Sequence, residues 1–195
     1  MITLYHARMS RSTRVVWLLE ELNAPYRIVP VEIARPDGSG GPDPANPHPL
    51  GQVPCIRDGD ALIVESLAIW LHLSDRFPEA ALAPPPGDAK RANYVGWLGH
   101  STAVFEPLVT AAMAGAVLGD RQAAARAHLD RQFAEALAAG PFLVGEGFST
   151  ADLVYASLLR FFPAALTRTE AMADWMKRIS ARPALARVRE IEGLP

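Results

Sequence analysis

Apolar residues recur in two different rhythms along this chain. Ile2-Thr3-Leu4-Tyr5 is a short β-rich run that reads as a first strand, and His6–Ser10 is a polar loop. From Arg11 to Asn23 the positions Val15, Leu18, Leu19 and Leu22 return at helical spacing. Ser10 and Ser12 stand in front of them as possible N-caps. Asn23-Ala24-Pro25 ends that helix, and Tyr26–Ile33 reads as a second strand. Strand, helix, strand over so short a length is a βαβ unit, which predicts that the two strands run parallel. Gly51–Ser66 then carries two apolar runs, Val53-Pro54-Cys55-Ile56 and Ala61-Leu62-Ile63-Val64, around Asp58-Gly59. Asp-Gly between two such runs predicts a hairpin of Val53–Arg57 and Asp60–Val64 closed by a type I′ turn. A helix over Ser66–Phe77 follows at once.

Arg35–Gly51 is crowded with Pro and Gly and is long for a plain connection, which predicts a functional or mobile loop with room for one short irregular helix. The order β-α-β, loop, β-β-α is that of a thioredoxin-like α/β domain, expected over 1–78. Ala83-Pro84-Pro85-Pro86-Gly87-Asp88 is stiff and lies in an expected linker, 79–88. From 89 to 195 no strand pattern of weight appears, so an all-α domain is expected. Its helices are read as Ala89–Leu118, with a kink or break at Pro107, then Arg121–Ala139, Ser149–Phe162, Thr169–Ser180 and Pro183–Ile191. Ser149-Thr150-Ala151-Asp152 is a capping box with Asp in place of the usual Glu, and Phe148 is placed to staple onto Leu153.

Half of the 195 residues are apolar, enough for a sizeable core. The formal charge of −2 and the lack of a basic block argue against nucleic acid and against a membrane surface as partners. The sequence shows neither a secretory leader pattern nor an apolar run long enough to cross a bilayer. Cys55 is the single cysteine, so no internal disulfide forms, and a reducing, cytoplasmic setting is expected. With no C-x-x-C, Cys55 reads as a core residue. The five histidines show no metal spacing, so no metal is expected.

The candidate chemistry gathers around the hairpin. A proline at the strand start, with Val53–Pro54 expected to be cis, turns the backbone groups of Val53 outward to pair with a peptide-like ligand. Glu65 offers a carboxylate to an amine. Ser66 offers a hydroxyl at a helix N-terminus, which favours an anion.

A thioredoxin-like domain, a proline linker and a helical domain in this order resemble the cytosolic glutathione S-transferases. The motifs fall in the same order. SRSTR at Ser10–Arg14 resembles the opening of the first helix in the serine-type (theta-, beta- and zeta-like) classes. HPLGQVP at His48–Pro54 resembles the segment carrying the cis-proline. Glu65-Ser66 resembles the glutathione-binding pair, and Ser149/Asp152 the capping box of the second domain's core helix.

The resemblance implies an enzyme that activates the thiol of glutathione, its co-substrate, for attack on a small hydrophobic electrophile. Glutathione would be held by Gln52, Val53, Pro54, Glu65 and Ser66. Gln52 departs from a pattern that often carries Lys, so it hydrogen-bonds the glycyl carboxylate where a lysine would pair with it. His48 is a weak candidate to support it and reads more simply as a solvated loop histidine. Ser10 is the expected hydroxyl donor to the sulfur, with Ser12 as runner-up and Tyr5 third. Arg11 and Arg14 add positive potential, Arg14 more as a structural residue. Tyr94, Trp97 and Ser101, with His100 and Phe105 beside them, are candidates for the electrophile pocket, although an interhelical core explains the aromatic ones equally well. A homodimer is implied, and Trp70 and Phe77 read as a helix face incompletely covered within one chain. A glutathione-dependent isomerase or dehalogenase, or a non-catalytic binding protein, are the alternatives on the same fold.

Overall fold

In the computed structural model, which describes residues 1–116, 119–163 and 165–194, the chain divides into two units. The first comprises Met1–Ala80 together with Pro183–Pro195, and the second Ala81–Arg182.

The first unit is built on four strands: β1 (Ile2–His6), β2 (Tyr26–Pro30), β3 (Cys55–Asp58) and β4 (Ala61–Val64). Their order across the sheet is β2-β1-β3-β4, with β1 and β2 parallel and the other pairs antiparallel. This is the expected thioredoxin-like arrangement. The central strands β1 and β3 carry the core, where Leu4, Cys55 and Ile56 are fully buried. Helix α1 (Thr13–Glu21) follows β1, and its run Val15–Leu19 is buried. Helix α2 (Ser66–Arg76) buries Ile69, Trp70 and Leu73. Trp70 is fully covered within the chain, so the exposed helix face expected there does not exist at that residue.

The hairpin differs from its sequence reading by one residue. Asp58 is still in the strand, paired with Ala61, so the two turn residues are Gly59 and Asp60. Only Gly59 has a positive φ, at 59°, which fits a type II′ turn with glycine at the first central position rather than type I′. The Asp58 carboxylate lies 2.9 Å from Nε2 of His72 on α2, which ties the strand end to the helix. The short helix allowed for in the 35–51 loop is absent; turns and bends occupy it.

The second unit is helical. It contains α3 (Arg91–His100), α4 (Glu106–Met113), α5 (Asp120–Ala139), α6 (Thr150–Phe161) and α7 (Glu170–Ser180). The expected ends at Leu118 and at residue 195 lie outside the described residues. The break expected near Pro107 takes a definite form. Ser101–Phe105 is a π-helical turn between α3 and α4, and the N–H of Glu106 donates to the carbonyl of Ser101. Pro107 lacks an N–H and its ring crowds the carbonyl four residues back, so the extra residue of a π turn gives it room. Within α6 every residue from Thr150 to Leu159 is buried, which makes it the axis of this unit. Its aromatic surround is packed edge to face: Trp97 on Phe133 and Tyr155 at 5.2 Å each, and Phe133 on Trp175 at 5.5 Å.

The last helix, α8 (Pro183–Glu192), packs on α1 in the first unit, whereas the sequence reading placed it in the helical domain. Ala184, Leu185 and Val188 are its buried face, and Arg187 reaches the carboxylate and the carbonyl of Glu20. That periodicity fixes a buried face but not the partner it is buried against.

Candidate functional site

Strand register brings three loops to one edge of the sheet. Tyr5 at the C-terminal end of β1 faces Cys55 at the start of β3, and Cys55 faces Val64 at the end of β4. The segments leaving or entering there are 7–12, 52–54 and 65–66. Ala7, Val31 and Val53 close into one buried cluster with Tyr5, Val29 and Ile33 packed on it, so the first two loops are held together by apolar contact.

The Val53–Pro54 peptide bond is cis, as expected. Pro54 lies just outside β3, where its missing N–H leaves no gap in the ladder. The preceding residue is braced from the loop: Nδ2 of Asn46 donates to the carbonyl of Gln52 at 3.1 Å. Oδ1 of Asn46 accepts from the N–H of His48 at 3.1 Å, and Nδ1 of His48 accepts from the N–H of Leu50 at 3.0 Å. His48 is therefore a buried brace of its own turn rather than a solvated histidine. Asn46 is a positioning residue that the sequence did not single out; an Asx turn among prolines was its only signal.

Glu65 has φ 70° and ψ 122°, a backbone conformation that a non-glycine residue adopts only under constraint. It is exposed, and Ser66 beside it is the first residue of α2. The junction thus presents a carboxylate and a hydroxyl where the helix end leaves N–H groups without intrahelical partners.

The three candidate donors are now separated by their surroundings. Tyr5 is packed against the Ala7–Val53 cluster. Ser12 is fully buried and its hydroxyl is occupied: 2.7 Å to Nδ1 of His6, 2.8 Å to Oγ of Ser10, and 3.3 Å from the N–H of Ala7. Ser10 is partly exposed at the mouth, accepting from the N–H of Ser12 at 3.1 Å and lying 2.6 Å from the carbonyl of Ala7. Neither serine side chain caps α1. Arg14 is buried on α1, and Arg11 is exposed.

Behind the serines lies a group that the sequence reading missed. Nε2 of His6 stands 3.3 Å from Oε1 of Glu192, both side chains buried. The other carboxylate oxygen accepts from the N–H of Met9 at 3.0 Å. Burial holds His6 below the ordinary histidine value, Glu192 opposes this, and Arg8 adds to it. Nothing in the sequence links residues 6 and 192; only the return of α8 onto α1 does.

The residues proposed for an electrophile pocket lie along α3 and the π turn that follows it. Tyr94, Trp97, Ser101 and Phe105 are buried in the interhelical core. His100 hydrogen-bonds the hydroxyl of Tyr155 at 3.0 Å, and burial lowers its pKa. The helical unit does hold a cavity of about 310 Å³, lined by Phe105, Val109, Leu129, Phe162 and Leu166, with Arg126 the one charged side chain on it among the described residues. It is framed by the π turn and by the end of α6. Cys55 is fully buried and burial raises its thiol pKa, so it is an inert core cysteine. Among the described residues no group of three or more His, Cys, Asp or Glu side chains is placed to hold a metal, and no helix is long and apolar enough to cross a membrane.

Two family models match the chain: the glutathione S-transferase N-terminal domain over residues 1–75 and the glutathione S-transferase C-terminal domain over residues 103–190. A curated relative, glutathione S-transferase 3 of Schizosaccharomyces pombe, is 36% identical over 111 residues. That match covers 57% of this chain and 45% of the relative, so it spans less than half of the relative's length. Among solved structures, a glutathione S-transferase from Actinobacillus pleuropneumoniae superposes with a TM-score of 0.78 at 28% identity, covering 99% of this chain and 93% of that one. A theta-class glutathione S-transferase from Xanthomonas axonopodis pv. citri, solved with glutathione bound, gives 0.72 at 29% identity and 95% coverage of each chain.

Proposed function

This chain belongs to the glutathione S-transferase family, and from that premise we propose that it lowers the pKa of the glutathione thiol with the Ser10 hydroxyl and directs the thiolate onto a small hydrophobic electrophile. The observation that carries the reading is the register-imposed meeting, at one sheet edge, of the partly exposed Ser10, the Val53 backbone and the Glu65-Ser66 helix start.

Each group has a task that suits its surroundings. The backbone of Val53 pairs with the cysteinyl part of the tripeptide and fixes where its sulfur lies. Glu65 meets the γ-glutamyl ammonium. Ser66 and the N-terminus of α2 take the γ-glutamyl carboxylate. Gln52 is exposed and hydrogen-bonds the glycyl carboxylate. A free thiol near pKa 8.5 is mostly protonated at neutral pH. A hydroxyl that donates to the sulfur favours its charged form. Ser10 fits this better than Ser12, whose oxygen is sealed in the interior. The helical unit supplies the electrophile pocket, for which Tyr94, Trp97 and Ser101 and the residues of its apolar cavity are the candidates. The protein works in the cytoplasm without a metal.

Immobilised glutathione should retain the protein, and a panel of electrophiles with free glutathione should show conjugation. Retention without turnover on any of them, isomerisable and halogenated substrates included, sinks the transferase reading in favour of a binding protein. Glu65→Gln should weaken glutathione binding roughly ten- to hundredfold, the size of one lost charge-assisted hydrogen bond, with little change in melting temperature. Unchanged affinity by calorimetry refutes the role of Glu65. The family reading also implies a homodimer. Light scattering should return twice the chain mass of 21.1 kDa, and a monomer mass at working concentration rejects it.

A further inference from the structure

We propose that the cavity of the helical unit takes an electrophile that carries an acid group, with an aryl or branched alkyl body on the apolar floor and a carboxylate held at the mouth by Arg126. The inference rests on the reading that the helical unit supplies the electrophile pocket. It narrows that reading to one cavity and adds a residue that selects the charge of the substrate.

Three segments build the cavity, all of them in the second unit. Phe105 at the end of the π turn recurs with Val109 and Met113 on α4 at helical spacing, so the three share one face. Arg126 and Leu129 are neighbours on α5 by the same spacing. The segment that follows α6 adds Ala165 and Leu166. That segment is tied to α5, because the N–H and the hydroxyl of Thr167 both donate to the Asp130 carboxylate, at 2.9 Å each. The wall at Leu166 is thus fixed to the helix that carries Arg126.

Burial gives the cavity a floor and a mouth. Phe105, Val109, Leu129 and Leu166 are buried, whereas Met113 and Arg126 are exposed. An exposed methionine beside a buried apolar floor is a flexible, polarizable edge that adapts to a ligand. The volume of about 310 Å³ is roughly twice the ~150 Å³ of an apolar cavity that takes benzene, so a fused bicyclic or a substituted single ring fits.

The mouth decides the charge. A guanidinium at the edge of an apolar space loses water when a ligand covers it, and a neutral ligand gives little in exchange. A carboxylate does better, because the N–H donors of the guanidinium form a fork that matches its two oxygens. The guanidinium has five such donors, so it holds a carboxylate and keeps its contact within the protein. A ligand with an ammonium group is repelled, since among the described residues no acidic side chain lies on the lining to meet it. The covalent step is that of any thiol conjugation. With an aryl halide, the thiolate sulfur bonds to the ring carbon that bears the halogen, and the halide leaves with the bonding pair. Arg126 meets the carboxylate and not the reacting carbon, so it acts on binding and selection.

Two measurements test the proposal, and the first needs no glutathione. By calorimetry the protein should bind naphthoate about fivefold more tightly than naphthamide, its neutral counterpart, which is the upper end of what an exposed ion pair contributes. Arg126→Gln should erase that preference, and Arg126→Lys, which keeps the charge, should retain part of it. Ala165→Leu fills the cavity from a half-buried wall and should weaken both ligands roughly tenfold or more. Equal affinities in the parent protein, a preference that survives Arg126→Gln, or affinities untouched by Ala165→Leu overturn the proposal. The exposed position of Arg126 keeps its variants foldable. The second measurement is conjugation of glutathione to a chloronitrobenzoate and to the matching benzamide. The two arenes differ in intrinsic reactivity, so the readout is the ratio of their kcat/KM values. Arg126→Gln should shift that ratio about fivefold against the acid, through KM. If both arenes are conjugated and the ratio does not move, the transferase reading stands and this inference alone fails. If neither they nor any other electrophile is conjugated, the transferase reading itself fails and takes the inference with it.

Discussion

Asp152→Ala is expected to cost about 3–5 kcal/mol of folding stability, because it leaves several buried hydrogen-bond donors without an acceptor at about 1–3 kcal/mol each. The sequence pattern alone describes a capping box, in which losing either member costs about 0.5–2 kcal/mol. The structure separates the two. Asp152 is fully buried and accepts four hydrogen bonds: from the N–H and hydroxyl of Ser149 at 2.9 and 2.7 Å, the N–H of Leu143 at 2.8 Å and the indole N–H of Trp175 at 2.8 Å. Burial pushes its carboxyl pKa up, and the four donors work against that. Alanine would strand all four donors in the interior, and each buried unsatisfied donor costs about 1–3 kcal/mol. Because natural proteins have only about 5–15 kcal/mol to lose, the variant should be near the limit of folding at physiological temperature. Ser149→Ala removes one donor and a cap oxygen, so it should stay in the milder range. Denaturant midpoints of the two variants decide the matter. Equal, small losses would mean that the carboxylate does not tie α6 to α7 and to the preceding turn.

Asp152 also shows what a sequence reveals and where it stops. Local signals were legible because their cause is local. Helical spacing located α1, α2 and α5–α8 to within a few residues, and Ser-x-x-Asp marked the start of α6. Trp175 and Leu143 as further partners of Asp152 were not legible, since they arrive from other elements. The same holds at the glutathione edge. Ser10, Pro54, Glu65 and Ser66 sit in motifs, so the chain's own order exposes them. Asn46 on Gln52 and Glu192 on His6 are contacts from elsewhere in the chain, and Glu192 arrives only because α8 folds back on α1. The helical unit shows the same limit. Tyr94, Trp97 and Phe105 lie along one helical run, but large apolar residues on a helix face fill a core as readily as they line a cavity. Trp97 packs on Phe133 and Tyr155, whereas Phe105 packs on Tyr155 and also lines the cavity. The π turn beside that cavity could not be read, because Pro107 announces a break without saying how the backbone absorbs it.

Ser10→Ala is expected to raise the pKa of bound glutathione by about one to two pH units, because one hydrogen bond to a charged group is worth roughly 1.5–3 kcal/mol. The hydroxyl favours the thiolate over the thiol, so the loss falls on turnover. Binding should change little, since the Val53 backbone, Glu65 and Ser66 still hold the tripeptide. At neutral pH the rate should drop roughly ten- to hundredfold, and the pH–rate profile should move to higher pH by the same one to two units. The partly exposed position of Ser10 makes alanine tolerable there. Ser12→Ala is a different experiment, because it empties a buried site shared by His6, Ala7 and Ser10. It should lower stability, and its effect on the thiol should be indirect and smaller, transmitted by the lost orientation of Ser10. A profile of Ser10→Ala that overlays the parent, with that of Ser12→Ala displaced, would reverse the two roles. If neither profile moves, the donor is a backbone N–H or Tyr5, and the serine-type assignment falls with it.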